Sequence, residues 1–68
     1  MIRLKVNDLL IGRGHSRYWL VKKMDSNYKT INRLADDVIS SIKFETIEKL
    51  MGIFELESLD DLIEYKKD

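Results

Sequence analysis

Apolar residues recur along this 68-residue chain with two different periods. Ile2, Leu4 and Val6 alternate with Arg3 and Lys5, the period of a half-buried strand. Asn7 then reads as a helix N-cap, with Asp8 in the first turn and Val6 and Ile11 as a hydrophobic staple across it. Gly12 and Gly14 close this first helix, Gly14 being the better terminator because glycine takes left-handed backbone freely. Ser16 caps a second helix from Arg17 to about Met24, with Leu20, Val21 and Met24 facing inward. Asp25-Ser26-Asn27 interrupts it, since all three side chains bond local backbone groups. Asn27 caps a third helix from Tyr28 to about Ala35. Ile31, Leu34 and Ala35 face the core there, so Tyr28, Lys29, Asn32 and Arg33 point outward. Asp36-Asp37 closes it, and a polar loop with Ser40 and Ser41 follows. A fourth helix spans about Phe44 to Phe54, with Ile47, Leu50, Met51 and Phe54 on one face.

Ser58-Leu59-Asp60-Asp61 has the form of a capping box and predicts a short fifth helix over about 59–63 that buries Leu59, Leu62 and Ile63. The tail Ile63-Glu64-Tyr65-Lys66 alternates again and is placed to pair antiparallel with Ile2–Lys5. The expectation is an all-α domain of five helices over residues 1–68, with a small two-stranded sheet joining the ends. Leu20, Ile31, Leu34, Ile47, Leu50 and Phe54 should form the centre of the core.

Composition narrows the stabilising forces. There is no cysteine and only one histidine, so neither a disulfide nor a thiolate metal site is available. Hydrophobic residues make up 44%, enough for a packed core. No apolar run is long enough to span a membrane, and the N-terminus lacks the apolar stretch of a signal peptide. A cytoplasmic protein is expected. The charge sums to zero but is divided along the chain. Residues 1–34 hold eight Lys and Arg against two acids, a net +6; residues 35–68 hold four against ten, a net −6. A basic half suits a polyanion.

Two short helices joined by a three-residue polar turn form a helix-turn-helix, in which the second helix enters the major groove of duplex DNA. The outward residues of the third helix suit that task. Asn27 and Asn32 can pair with adenine, and Lys29 or Arg33 can reach guanine. Tyr28 can touch a sugar, a thymine methyl or a phosphate. Arg17, beside the free N–H groups after Ser16, is placed to hold a phosphate, and Lys43 to grip another across the groove. One recognition helix reads few base pairs, so a symmetric homodimer is expected, with Phe54, Leu56 and Tyr65 on the contact surface.

The segments Ser16–Met24, Thr30–Ala35 and Ile42–Leu50 resemble the helix-turn-helix proteins of the phage Cro and repressor type. The Ile2–Val6 opening and the Leu62-Ile63-Glu64-Tyr65 ending resemble the short, stand-alone members of that family. The resemblance covers nearly the whole chain. It implies a dimeric transcriptional regulator of phage, prophage or bacterial genes, acting in the manner of a repressor. It matches Arg17 to the first DNA-contacting position and Asn27, Tyr28, Lys29, Asn32 and Arg33 to the recognition helix. The chain departs from the family pattern at three positions. Val21 stands where a small residue is usual, Asp25 where glycine is, and Ser26 where an apolar residue is.

Other chemistry is poorly supported. Gly12-x-Gly14 lacks the strand and helix that make a phosphate loop. No arrangement of Ser, His and Asp forms a pocket, and Glu45 and Glu48 read as a solvated helix face. No enzyme activity, cofactor or metal is expected. His15 reads as an exposed loop residue. Trp19 has two readings, a cover for the Ile2–Val6 strand or an anchor for an interface. The alternative function is a module that keeps the helix-turn-helix shape but binds a protein partner, as an antirepressor or modulator would. Zero net charge, Asp25 and Trp19 point that way; the basic half and the outward face of the third helix point to DNA.

Overall fold

The computed structural model describes residues 1–67. Strand β1 (Ile2–Leu4) leads into α1 (Val6–Gly12), α2 (Arg17–Met24), α3 (Tyr28–Ala35) and α4 (Phe44–Ile53). A single 3-10 turn, Leu59–Asp61, precedes β2 (Ile63–Tyr65). The strands pair antiparallel, with Ile2 opposite Tyr65, Arg3 opposite Glu64 and Leu4 opposite Ile63. The sheet joining the two ends is therefore present as expected. Among the described residues, no helix is long and apolar enough to cross a membrane.

Helices this short fold only if each one stops cleanly. All four α-helices end in the same way. After α1, the amides of Gly14 and His15 bond back to the carbonyls of Ile11 and Leu10. After α2, Asp25 and Ser26 bond to Lys22 and Val21; after α3, Asp37 and Val38 bond to Leu34 and Arg33. After α4, Glu55 and Leu56 bond to Gly52 and Met51. This is the Schellman arrangement, which satisfies two otherwise orphaned carbonyls by turning one residue left-handed. That residue is Gly14 in the first case, and Asp25, Asp37 and Glu55 in the others, all at positive φ. Gly14 and the two Asp stops agree with expectation; Glu55 carries no local signal.

The helix starts divide. Ser16 Oγ accepts from the Trp19 amide at 3.2 Å, and Asn27 Oδ1 from the Thr30 amide at 2.9 Å. Both caps stand as expected. Asn7 is not a cap: α1 begins two residues sooner, with Lys5 at its N-cap and no side-chain bond there. Val6 is fully buried as the first helical residue, and its inward partner one turn on is Leu10. Ile11 consequently faces solvent and forms no staple.

The fifth helix is also corrected. Ser58 Oγ accepts from the Asp60 amide rather than completing a capping box, and only one turn forms. Pairing with β1 takes Ile63–Tyr65 into the sheet, leaving too few residues to propagate a helix. Leu62 is fully buried, whereas Leu59 is half exposed.

The core contains Leu4, Val6, Leu10, Leu20, Met24, Ile31, Leu34, Ala35, Leu50, Phe54 and Leu62. Five of the six expected centres are there. Ile47 is only partly buried. It lies near the open start of α4, where Phe44 is 84% exposed, and only the later turns of that helix reach the closed centre. Phe54, also expected on a subunit contact surface, is wholly internal; Tyr65 is exposed. The ends are bound together beyond the strands. The Met1 ammonium donates to the Lys66 carbonyl at 2.7 Å, and the Lys66 amide to the Met1 carbonyl at 2.8 Å. Asp37 Oδ1 accepts from the Leu4 amide at 3.1 Å, tying β1 to the end of α3.

Two substitutions test this framework. Leu50→Ala should cost about 2–5 kcal/mol in chemical denaturation, from lost burial plus a cavity. Glu55→Gly should raise stability by about 1 kcal/mol, or about 4–8 °C in Tm, because it relieves a side chain held in left-handed backbone. A Tm that stays level or falls would contradict the stop assigned to α4.

Candidate nucleic-acid interface

Helices α2 and α3 pack against each other across the turn Asp25-Ser26-Asn27. Asp25 takes φ 51 and ψ 48, so an aspartate performs the reversal that glycine makes more cheaply. Val21 and Ser26 are both half-buried at this junction, and the Ser26 amide bonds to the Val21 carbonyl at 3.1 Å. The turn closes despite all three departures. Together the two helices carry Arg17, Lys22, Lys23, Lys29 and Arg33 and no acid. Lys22, Lys23 and Arg33 lie in last turns, where the helix dipole favours cations.

The outer side of α3 holds Tyr28, Lys29 and Arg33 in solvent, with Asn32 half-buried among them. Asn27, at the N-cap, is exposed, but its side-chain oxygen serves the helix. Asn32 is likewise engaged. Its Oδ1 accepts from Arg17 Nη1 at 2.8 Å, while Arg17 Nη2 meets Asp36 Oδ1 at 2.7 Å. Asn32 and Asp36 stand four residues apart on one face of the helix, so one guanidinium spans both. The hydrogen bond from Arg17 is the main cause holding the Asp36 carboxyl below its ordinary range; slight desolvation opposes it and the cation's charge assists. Arg17 therefore lies against α3 rather than free at the start of α2.

Tyr28 leans on α2. Its ring stacks near that of Tyr18, with centroids 6.1 Å apart, and Lys22 Nζ sits 5.4 Å from the Tyr18 centroid. Trp19 packs internally: it stacks on His15 at 3.8 Å and meets Phe54 at 5.8 Å. Trp19 therefore packs within its own chain, with His15, itself exposed, and Phe54 as its ring partners in place of the expected Ile2–Val6 strand.

Lys43 is the N-cap of α4 and makes no side-chain capping bond, so the first amides of that helix lack a cap there. It shares a cleft of about 390 Å³ with Thr30, Arg33, Ser40, Ser41 and Thr46. The fold thus brings two cations and four hydroxyls to one opening beside α3. Asp36, Tyr18 and the hydroxyls of Ser40, Ser41 and Thr46 are the members of this surface that sequence reasoning missed. The i, i+4 spacing of Asn32 and Asp36 was the one available signal. Among the described residues, no cluster of His, Asp and Glu is arranged to hold a metal.

Residues 5–68 match the family model described as Cro/C1-type HTH DNA-binding domain. No curated protein and no solved structure matches the chain.

The Arg17 bridge makes a pH prediction. Because the folded carboxyl titrates below the unfolded one, its contribution is present above the ordinary carboxylate range. It is lost as pH falls through the lower, folded value. A carboxylate-resolved NMR titration should give Asp36 a midpoint below that of a free aspartate, and Arg17→Ala should return it to the ordinary value. An Asp36 midpoint insensitive to Arg17→Ala would show that the bridge does not form in solution.

Proposed function

The chain belongs to the Cro/C1-type helix-turn-helix family of DNA-binding domains, and from that membership we propose that it is a sequence-specific, repressor-like regulator that lays α3 in the major groove. The observation that carries this reading is the outer surface of α3. Tyr28, Lys29 and Arg33 are exposed there, on a pair of helices without an acid. Neither Lys29 nor Arg33 has an ion-pair partner among the described residues. Cations left unpaired beside an amide and an aromatic ring suit phosphates and base edges together.

In this reading the roles separate by position. Asn32, with Asn27 and Tyr28 nearer the start of α3, reads base edges. Lys29 and Arg33 reach either a guanine or a phosphate. Lys43, with the uncapped start of α4 and the hydroxyls of the adjoining cleft, grips the backbone. Arg17 acts through α3, to which it is bonded. A homodimer supplies the second half-site, since a single helix reads too few base pairs for useful specificity.

A second reading is a module for a protein partner. It is favoured by Phe44, whose ring stands almost wholly in solvent at the mouth of α4. Salt separates the two. Binding through phosphates weakens by roughly one logarithmic unit of slope per contact, whereas an apolar protein interface changes far less.

The decisive experiment compares Asn32→Ala with Lys43→Ala on a selected operator and on unrelated duplex DNA. Asn32→Ala should lose about 1–3 kcal/mol on the operator and little elsewhere. Lys43→Ala should weaken both and lower the salt slope by about one unit. The same titrations should show two chains per operator; saturation at one chain would exclude the dimer. If both variants match the parent on every duplex, α3 does not read DNA.

A further inference from the structure

The bridge from Arg17 to α3 bears on which base Asn32 can read, an inference that rests on the DNA-reading role proposed above. An asparagine amide has one acceptor oxygen and one donor NH2 group. A guanidinium has donors only. At 2.8 Å from Arg17 Nη1, the Asn32 oxygen must be the atom facing Arg17, because the opposite orientation would set donor against donor. Hydrogen-bond chemistry thus fixes the orientation of the amide. Asp36 holds the other arm of the same guanidinium at 2.7 Å, so the cation has a second anchor one helical turn away. Among the described residues, no protein acceptor takes the Asn32 Nδ2 group.

A free asparagine recognises adenine by accepting from its N6 amino group while donating to N7. Here that oxygen already faces a cation. The oxygen keeps a second lone pair, but an adenine amino group taking it would bring a donor N–H beside the Arg17 cation, an unfavourable pairing of like polarity. Guanine presents the opposite pattern, acceptors at both N7 and O6. The Asn32 amino group can donate to either one, and nothing on guanine's edge at those positions competes with Arg17.

We propose that the Arg17–Asp36 bridge turns Asn32 into a hydrogen-bond donor toward the major groove, so that α3 favours guanine over adenine at the base Asn32 faces. Asp36 is then a positioning residue. It touches no base and acts through Arg17. This also distinguishes Arg17 from a phosphate clamp: its role in recognition is to set the polarity of its neighbour.

The test begins with selection of operators from randomised duplex DNA by the unaltered protein. The base that Asn32 faces is the position whose preference Asn32→Ala abolishes. Competition binding then compares guanine with adenine there. The parent should prefer guanine by about tenfold, the scale of one well-made base contact. Arg17→Met removes the donors but keeps much of the stem; it should erase that preference or invert it toward adenine. Asp36→Asn should reduce it several-fold. The readout is a ratio at one position, measured on variants whose circular dichroism matches the parent, so a general loss of stability would leave it unmoved. If Arg17→Met does not fold, Asp36→Asn decides alone. A parent preference for adenine overturns the proposal, as does a guanine-to-adenine ratio unchanged in the folded variants. A parent that enriches no operator overturns the DNA-reading role itself, and this proposal with it; that result needs no variant and is distinguishable from the others.

Discussion

Left-handed backbone at four residues is the constraint on which the rest of this molecule depends. Helices of seven to ten residues bury a shared core only if the chain reverses sharply after each one. Each reversal leaves carbonyls that need partners, and the same two backward hydrogen bonds supply them every time. Only one of the four residues is glycine. The other three accept the strain of a side chain at positive φ, and the core beneath them holds it in place. Asp25 is the case with functional weight, because its turn sets α3 against α2 and leaves the outer side of α3 uncovered.

Which features were legible in the sequence follows from how local their causes are. Ser16 and Asn27 cap helices through bonds to amides three residues away, so the pattern is visible in a few letters. The outer face of α3 follows from the inward spacing of Ile31, Leu34 and Ala35. The start of α1 was not legible. Asn7 is a good cap, but burial of Val6 against distant parts of the chain outweighs one capping bond, and the helix begins earlier. The fifth helix failed for a similar reason. Ser58 and the acids after it favour a helix, yet the sheet claims Ile63–Tyr65 through a partner some sixty residues away. At the site, the outward residues were readable one by one. Their engagement was not, because it depends on where the first residue of α2 lies over the last turn of α3.

That engagement changes the chemical character of the surface. Two asparagines of α3 and its N-cap each have the carbonyl oxygen bonded within the protein, one to a guanidinium and one to a helix amide. Beside them stand Lys29 and Arg33, which have only donors. The face is therefore rich in hydrogen-bond donors and poor in acceptors. Nucleic acid presents acceptors along its phosphates and on the purine edges, so the match is one of hydrogen-bond polarity as well as charge.

The sheet that joins the two ends has a consequence for how the domain comes apart. Three residue pairs are a weak sheet by themselves, and closing so long a loop carries an entropic cost. The closure holds because Leu4 and Leu62 are buried beside it and because Asp37 bonds the first strand to the end of α3. A row of short helices would otherwise be free to peel away from either end, one at a time. Once the ends are joined to each other and to α3, no helix is terminal. Disorder that starts at the ends must break into the shared core before it can spread, which makes melting a collective event rather than a progressive fraying.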